Sequence, residues 1–432
     1  MKTFLLLFTC LVLVQTKAQE NEALQWINEH AIKIEDSNPD TNLALFGKST
    51  PEKFEHAKIF GFGEATHHNK EFFDLKAKFF KHLVLNQHVK VFIMEESYPA
   101  EAGINEWISG GKGDAATIAS NFSIVPWYCK EVINLLAWMR DYNLNKSTED
   151  QIRFYGMDIQ NIKGTNLEIR ELIADYQLPV SDNLLQAADA CANKKIVYNY
   201  SNNWADVQLP KLNEIQEIIE QGKNGRTSED ILKFDAAQRA LTYLTQYTYY
   251  VQHHYSQDRD LKMYENVKWI AENKSKNGKA FIWAHNEHIN NHGFGNYSTR
   301  KIYNLGKHLK EYYKDDYYSV GFDFGMGTLG GYVFDKEKGN TWSTYELKQP
   351  FNKTYAETLI KANDPIYFID MATALDGNSS TFLSKKMNQL VAGGSGYNPY
   401  GDHLYKKQLS KMFDGLIFVK QVTLPNYNVA TN

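Results

Sequence analysis

Short runs of consecutive apolar residues recur along the chain, and such runs are typical of strands that are buried on both faces. They are Lys58–Phe62, Val89–Met94, Ile152–Met157, Lys279–Ala284, Tyr317–Phe322, Pro365–Met371 and Gly415–Val422. Segments with helical periodicity separate the earlier runs from one another. This alternation of strands and helices predicts an α/β fold, in which helices cover both faces of a parallel or mixed sheet.

The first helical pattern extends from about Glu71 to Leu85. Its large apolar residues fall on one stripe, and they are Phe72, Leu75, Phe79, Phe80 and Leu83. Lys76, Lys78 and Lys81 fall largely on the other side. The pattern predicts an amphipathic helix whose lysines lie away from the core.

From about residue 164 to residue 276 the strand pattern is almost absent. Long periodic segments with few glycines replace it, including Ser228–Gln257 and Asp258–Glu272, and Gly222–Gly225 predicts a turn before them. We therefore expect a large helical insertion, at about 164–276, within one domain that spans residues 19–432.

The first segment, Met1–Ala18, has the pattern of a signal peptide. A lysine precedes an apolar run, Phe4–Val14, and a polar stretch with small residues follows. That run is too short for a permanent membrane anchor, which needs about 20 apolar residues. We expect an exported protein, periplasmic or secreted, without a stable membrane anchor.

The charge balance argues against nucleic-acid binding. The chain has 47 Lys and Arg against 51 Asp and Glu, so it lacks the basic field that attracts a polyanion. Beyond the signal segment only Cys129 and Cys191 remain, which are too few for a disulfide framework or a thiolate zinc site, and whether they pair stays open. The aromatic content of 14% predicts either ordinary packing or a cleft lined with rings.

Ionisable residues follow the carboxyl ends of several apolar runs. They are Glu64, His67 and His68 after the first run, Glu95 and Glu96 after the second, Asp158 after the third, and His285 and His288 after the fourth. Parallel strands end at one edge of a sheet, and open α/β sheets bind ligands in the crevice at that edge. We therefore predict that these side chains share one cleft.

Such a set of residues suits the hydrolysis of an ester by activated water. His67 is predicted to be the base, because an imidazole accepts a proton near neutral pH. Glu64 or Glu95 would bond to its other nitrogen and fix its tautomer. His285, His288 or backbone amides at the start of the following helix would donate to the developing oxyanion.

Other roles stay open for the same residues. Asp158 also fits a cap or turn residue, and a lone histidine such as His68 is usually a hydrogen-bonded structural residue. The histidines of the cluster, together with Glu95, could ligate zinc, although the chain has no H-E-x-x-H motif. The stretch Gly393–Tyr397 fails the G-x-S-x-G nucleophile motif at its last position.

The same segments resemble the erythromycin esterase family. The similar stretches are Gly63–His67 with Glu71–Phe73, Val91–Glu96, Tyr155–Asp158, Arg259 and Asp260 with Met263 and Asn266, Trp283–His288 and Phe413–Phe418. They occur in order from about residue 58 to residue 420. The resemblance therefore covers nearly the whole chain after the signal segment.

The resemblance implies a three-layer α/β/α fold and hydrolysis by water, without a covalent enzyme intermediate, and we expect no cofactor. It implies that His67 is the general base, that Glu64 and Glu95 are essential carboxylates, and that His285 and His288 are further site histidines. The leading substrate is the macrolactone of erythromycin-type antibiotics, whose opening gives macrolide resistance. The competing hypotheses are a metal-dependent hydrolase of another substrate and an exported, non-catalytic protein of binding or polysaccharide assembly.

Neighbouring residues are predicted to contact the substrate. They are Glu71, Lys76, Glu96, Trp127 and Asp158. Lys76 stands where some family members have an arginine, and its point charge cannot make the bidentate contacts of a guanidinium. Trp127, like the adjacent Tyr128, is expected either to wall the cleft or to begin a buried helix.

Overall fold

The computed structural model describes residues 17–193, 203–253, 256–294, 302–337 and 339–427. Most of the predicted signal segment, residues 1–16, lies outside the described residues, and residues 17–30 form the first helix, α1. Within the described part of the chain, no helix is both long enough and apolar enough to span a membrane.

Strands lie close to the apolar runs. They are β1 (Ile32–Lys33), β2 (Ile59–Phe62), β3 (Val91–Ser97), β4 (Arg153–Asp158), β5 (Ala280–Trp283), β6 (Tyr317–Asp335), β7 (Gly339–Leu347), β8 (Ile366–Asp370), β9 (Met387–Leu390), β10 (Leu404–Lys407) and β11 (Gly415–Val422). The main sheet has the order β1-β8-β11-β6-β2-β5-β3-β4, and β7 pairs with β6. All neighbours from β11 to β4 are parallel, whereas β8 and β1 add an antiparallel edge. The sheet is therefore mixed, and β9 and β10 form a separate antiparallel pair.

Helices occupy the connections between the strands. Before β5 they are α2 (Ala44–Lys48), α3 (Glu52–His56), α4 (Lys70–Gln87), α5 (Ala100–Ile108), α6 (Ala115–Ala119), α7 (Lys130–Asn143), α8 (Thr165–Tyr176), α9 (Asp182–Ala192), α10 (Trp204–Gly222), α11 (Ser228–His253) and α12 (Ser256–Lys274). After β5 they are α13 (Asn286–Ile289), α14 (Leu305–Tyr313), α15 (Ala356–Leu359), α16 (Met371–Asp376), α17 (Ser380–Ser384) and α18 (Leu409–Met412).

Consecutive residues of the central strands pack on opposite faces of the sheet. In β3, Phe92 and Met94 join the core that includes α4, α5 and α7, whereas Val91 and Ile93 join the core that includes α12, α14 and α15. A strand that is buried on both faces must be apolar at every position, which explains the continuous runs in the sequence. The predicted α/β fold with three α/β/α layers is confirmed.

Between β4 and β5 the described residues form helices α8 to α12 and no strand. Most of their buried apolar side chains form a third core of their own, which contains Leu172, Leu212, Phe234 and Leu241. These helices occupy the stretch for which the sequence predicts a helical insertion. The insertion reaches the sheet through α12, whose Met263 packs in the core of the second sheet face.

The prediction that the lysines of α4 lie away from the core was wrong. Lys76, Lys78 and Lys81 are all buried. Chain that precedes β2 covers the outer side of α4, where Lys78 Nζ lies 2.8 Å from the Asp36 carboxylate and Lys81 Nζ lies 2.7 Å from that of Asp40. Ammonium groups are tolerated in buried positions when carboxylates meet them, and periodicity alone does not reveal such partners.

The extent of β6 differs from its predicted extent, and the structure shows the state of the two cysteines. The strand expected at Tyr317–Phe322 continues to Asp335 and pairs with β7, so that β6 and β7 form a hairpin. Cys129 and Cys191 are free thiols, and each is buried in a different core. The pairing that the sequence left open is therefore absent for these two residues.

Candidate active site

The residues that follow four adjacent parallel strands meet at one edge of the sheet. The strands lie in the order β2, β5, β3 and β4. The residues at their carboxyl ends are Glu64 and His67, then His285 and His288, then Glu95, then Asp158, and all of them are buried. The strand order thus places side chains that are distant in sequence within one cluster.

Asn286 ties the loop after β2 to the loop after β5. Its backbone N–H donates to the Glu64 carbonyl at 2.9 Å, and its side chain bonds to the N–H and the carbonyl of Phe322 in β6. Gly63 permits this approach, because a Cβ at that position would lie 3.0 Å from the Asn286 Cα. Glu64 is thereby fixed beside His285.

His67 is held through one ring nitrogen. Its Nδ1 contacts Glu64 Oε1, and the other oxygen of Glu64 accepts a bond from Lys76 Nζ. Among the described residues, no hydrogen-bond partner is found for Nε2 of His67. Because the carboxylate favours a hydrogen on Nδ1, the lone pair of the ring stays on Nε2.

Lys76 lies beneath this pair rather than in an open cleft. Its ammonium is fully buried and lies 4.0 Å from the centre of the Trp283 ring. Burial lowers the pKa of Lys76 to about 8, against the opposing effect of Glu64. The residue predicted to contact substrate therefore contacts the carboxylate that orients His67.

His288 is held through both ring nitrogens. Nδ1 lies 2.9 Å from Asp260 and Nε2 lies 3.1 Å from Glu95. Burial acts to lower the pKa of His288, but the two carboxylates outweigh it and raise that pKa to about 10. The ring is therefore an imidazolium at neutral pH, and both of its N–H groups donate to the protein.

Glu95 and Asp158 share the guanidinium of Arg259. Arg259 donates to Asp158 at 2.9 Å and 2.7 Å, and to Glu95 at 3.0 Å. Burial acts to raise the pKa of Glu95, yet the neighbouring cations, His288 first among them, hold it well below its ordinary value. Glu95 is therefore a charged group between two cations.

The ring of His285 is turned toward backbone groups. Its Nδ1 accepts from the Glu287 N–H at 3.2 Å, and its Nε2 lies 3.3 Å from the Ala65 carbonyl. Burial is the main cause that holds the pKa of His285 well below its ordinary value. In this arrangement the ring nitrogens of His285, like those of His288, are engaged by protein groups, so neither ring presents a free donor for an oxyanion.

Glu96 fixes the segment that leads to Trp127, and Trp127 packs against His67. Glu96 accepts from the N–H groups of Ser123 at 2.9 Å and Ile124 at 3.2 Å, and burial raises its pKa to about 7. The chain then enters the 3-10 turn Val125–Trp127, in which the Trp127 indole is buried. The ring centroids of Trp127 and His67 are 5.2 Å apart, edge to face. Trp127 thus both precedes the buried helix α7 and walls the site.

Glu71 lies at the start of α4 and bonds to the C-terminal segment. Its carboxylate accepts from the N–H and the hydroxyl of Thr423, each at 2.7 Å. Thr423 directly follows β11. The structure therefore connects Glu71 to the chain after the sheet and does not bring it into contact with the His67 cluster.

Arg259 and Asp260 complete the cluster, although no catalytic or binding role was predicted for them from the sequence. They lie in α12, far from any strand end, and Asp260 also accepts from the Leu305 N–H at 2.9 Å. One signal for them exists in the sequence. Asp260 lies on the same helical face as the buried Met263 and Val267, where an unpaired charge is not tolerated.

The histidines that the sequence offered as zinc ligands have other neighbours. His288 bonds to two carboxylates, and His285 faces backbone groups. Within the ranges that the structure describes, no group of three or more His, Cys, Asp or Glu side chains has an arrangement that could hold a metal ion.

Known proteins share this sequence pattern and this fold. A family model described as erythromycin esterase matches residues 84–422. Erythromycin esterase type II of Escherichia coli is 23% identical to the chain over 354 residues, which cover 76% of this chain and 83% of that protein.

Three solved structures have a similar fold. A Bacillus cereus protein has a TM-score of 0.80 at 23% identity, and a succinoglycan biosynthesis protein has 0.78 at 18% identity, each over 95% of this chain and 99% of the other. A histidine-to-asparagine variant of the erythromycin esterase EreC, in its open conformation, has a TM-score of 0.67 at 14% identity over 92% of this chain and 98% of its own. Because the family model covers most of the sequence, the chain belongs to the erythromycin esterase family.

Proposed function

We propose that the protein hydrolyses carboxylic esters with a water molecule that His67 activates. Membership of the erythromycin esterase family supports a hydrolase of the esterase kind. The observation that carries the proposal is the contact between Glu64 and His67 Nδ1, which leaves Nε2 without a hydrogen-bond partner among the described residues. A general base needs this lone pair, and a carboxylate on the opposite nitrogen steadies the imidazolium that forms.

In the proposed reaction, water gives a proton to Nε2 of His67 while its oxygen attacks the ester carbonyl carbon. The tetrahedral intermediate then loses the alcohol oxygen, which takes the proton back from His67. Glu64 holds the Nδ1 hydrogen throughout, and Lys76 holds Glu64. The products are an acid and an alcohol, which stay in one molecule when the substrate is a lactone, and no covalent bond to the enzyme forms.

We propose that backbone N–H groups of the loop between β2 and α4 stabilise the oxyanion. The rings of His285 and His288 already use their nitrogens on protein groups. Preorganised donors at the developing charge are usually a large contribution to acyl transfer. A role for either ring would require one of these bonds to break first.

The leading specific substrate is a macrolactone, because the Escherichia coli relative carries the name erythromycin esterase. The deciding experiment incubates the purified protein with erythromycin-type macrolides and measures the mass gain of one water. We expect that gain with the protein and its loss with His67→Ala. No gain across several macrolides contradicts the macrolactone proposal, and a panel of other esters then tests the broader one.

The proposed steps use protein groups only, so removal of metal has a clear expected outcome. Treatment with a chelator should leave the rate of hydrolysis unchanged. Loss of activity on chelation, with recovery on adding zinc, would favour the metal-dependent alternative. Metal analysis of protein purified without chelator provides the independent control.

We also propose that the protein is exported and that residues 1–18 are removed. The apolar run and the small residues at the end of this segment support the proposal. N-terminal sequencing of the protein recovered from the periplasm or the medium is expected to begin after Ala18. Recovery of the uncleaved chain from the cytoplasm would contradict it.

A further inference from the structure

A pocket of about 310 Å³ lies beside the loop that carries His67. Most of its lining is aromatic, and the main residues are His68, Pro126, Tyr128, Tyr332, Trp342 and Tyr427. They come from the loop after β2, the turn before α7, the β6–β7 hairpin and the C-terminal segment. The proposed reaction uses none of these side chains.

Ring contacts and hydrogen bonds hold the pocket together. The centroid of Trp342 lies 4.8 Å from that of His68 and 6.0 Å from that of Tyr427. The Tyr427 hydroxyl donates to His68 Nδ1 at 2.6 Å, and His68 Nε2 donates to the Gly394 carbonyl at 3.1 Å. Both ring nitrogens of His68 therefore bond to protein groups, and neither requires a hydrogen bond from a ligand.

The pocket adjoins the reactive histidine. His68 directly follows His67, and Trp127, which packs against the His67 ring, lies between the lining residues Pro126 and Tyr128. The pocket and the reactive histidine therefore share the loop after β2 and the turn Val125–Trp127.

The lining carries no Asp, Glu, Lys or Arg side chain. Burial lowers the pKa of His68 to about 4, so its ring is neutral at neutral pH. A charged group that entered the pocket would lose water and gain no opposite charge, which is unfavourable. Apolar surface placed against the aromatic faces is stabilised instead. The chemistry of the lining therefore favours an uncharged ligand.

The size of the pocket limits what it can hold. Small-molecule sites usually measure roughly 300–1,000 Å³, so this pocket, at about 310 Å³, is among the small ones. It fits one ring or one branched chain rather than a whole large molecule. The exposed Tyr332 and Val125 leave its mouth open to solvent, so the rest of a large ligand can extend outward.

We infer that this pocket binds an uncharged ring or branched chain attached to the ester, and that Trp342 sets the preference for bulky esters over short ones. The inference rests on the proposed function of His67, but it does not require the substrate to be a macrolide. Trp342 acts on specificity by contact with the substrate and takes no part in proton transfer.

A binding experiment tests the pocket without turnover. Cyclohexyl methyl ketone has the ring and the carbonyl but no bond to hydrolyse, and cyclohexylammonium has the same ring with a charge. Ligand-observed NMR is expected to show binding of the ketone to the wild type, about 10-fold weaker binding to Trp342→Ala, and no binding of the ammonium. Phe334→Ala is the matched control, since Phe334 is exposed on the same hairpin.

Each result of the binding experiment bears on the pocket. Ketone binding that is kept by Phe334→Ala and by Trp342→Phe, but weakened by Trp342→Ala, supports the inference. Equal binding of the ketone to the wild type and to Trp342→Ala overturns it, as does preferred binding of the ammonium. A folded wild type that binds no ketone also overturns it.

A kinetic experiment separates this inference from the proposed function. For ethyl cyclohexanecarboxylate, Trp342→Ala is expected to raise KM about 10-fold with kcat little changed, whereas ethyl acetate, which carries neither a ring nor a branched chain, should react as in the wild type. If the ratio of the kcat/KM values for the two esters is the same in Trp342→Ala as in the wild type, the inference about the pocket is wrong and the esterase proposal is unaffected. Ketone binding without hydrolysis of any ester keeps the pocket and overturns the esterase proposal.

Discussion

His67 and His288 belong to one buried cluster, but their carboxylate partners differ in number. His67 contacts Glu64 through Nδ1, and among the described residues no hydrogen-bond partner is found for its Nε2. His288 lies between Asp260 and Glu95, which raise its pKa to about 10. One carboxylate leaves a lone pair available for a proton, whereas two carboxylates convert the ring into a fixed cation.

The cations that pair with the carboxylates of the two rings also differ, in their chemical type. Lys76 contacts Glu64 with a single buried ammonium, and its pKa is lowered to about 8. Arg259 bonds to Asp158 and Glu95 with a planar guanidinium that stays charged. On the His67 side of the cluster, Lys76 can therefore lose its proton a little above neutral pH, whereas on the His288 side Arg259 and His288 keep their charges. This comparison predicts that the first serves the reaction and the second holds the site in shape.

The largest expected effect comes from His67→Ala. Loss of a general base commonly lowers the rate by about 10² to 10⁴, and the lone carboxylate contact of His67 makes its loss mild for the fold. Steady-state hydrolysis gives the rate, and urea unfolding gives the stability. His292→Ala, at an exposed histidine on the loop after α13, is the matched control and should stay active. Full activity of His67→Ala would contradict the assignment of the base.

His288→Asn should mainly affect stability. It removes a buried cation from between Asp260 and Glu95, and breaking a buried ion pair from one side costs about 3–5 kcal/mol of the free energy of unfolding. The midpoint of urea unfolding measures this loss. An asparagine variant as stable as the wild type would show that His288 carries no structural charge.

Glu95→Gln should have a smaller effect than either histidine change. The amide keeps the shape of Glu95 but removes the charge between His288 and Arg259, and hydrogen bonds to charged groups contribute about 1.5–3 kcal/mol. We expect a folded protein with a lowered unfolding midpoint and reduced activity. Glu265→Gln, on the outer side of α12, is the control and should change neither quantity.

The smallest expected effect is that of Lys76→Arg, which should change the pH dependence of hydrolysis. Lys76 is charged below a pKa of about 8 and loses its proton as the pH rises through that value. Glu64 then loses its cation, so hydrolysis should decline above about pH 8. Lys76→Arg keeps the charge, and the decline should move above the measured range when kcat/KM is followed from neutral to alkaline pH. An identical profile for both proteins would show that Lys76 does not support Glu64.

The sequence predicts the sheet and the convergence of its strand ends for a simple reason. Each central strand is apolar on both faces, so the runs are visible, and the residue after each run must lie at the sheet edge. The run at Gly415–Val422 agrees with β11 at both ends. The same reasoning predicts that Glu64, Glu95 and His285 lie at this edge.

Other features depend on how separate parts of the chain pack together. Asp260 reaches His288 only because α12 packs on the sheet, and Lys78 is buried only because earlier chain covers α4. The β6–β7 hairpin was missed because its second strand is largely exposed and lacks an apolar run. Local sequence patterns do not show which residues meet in the folded chain. They therefore predict neither these ion pairs nor the aromatic pocket.

Rescue by added imidazole tests the difference between the two histidines most directly. His67→Gly and His288→Gly are assayed with the same ester at increasing concentrations of free imidazole. We expect imidazole to restore hydrolysis in His67→Gly, in proportion to its unprotonated form, and to leave His288→Gly unchanged. Restoration of His288→Gly, with no restoration of His67→Gly, would contradict the roles assigned to the two histidines.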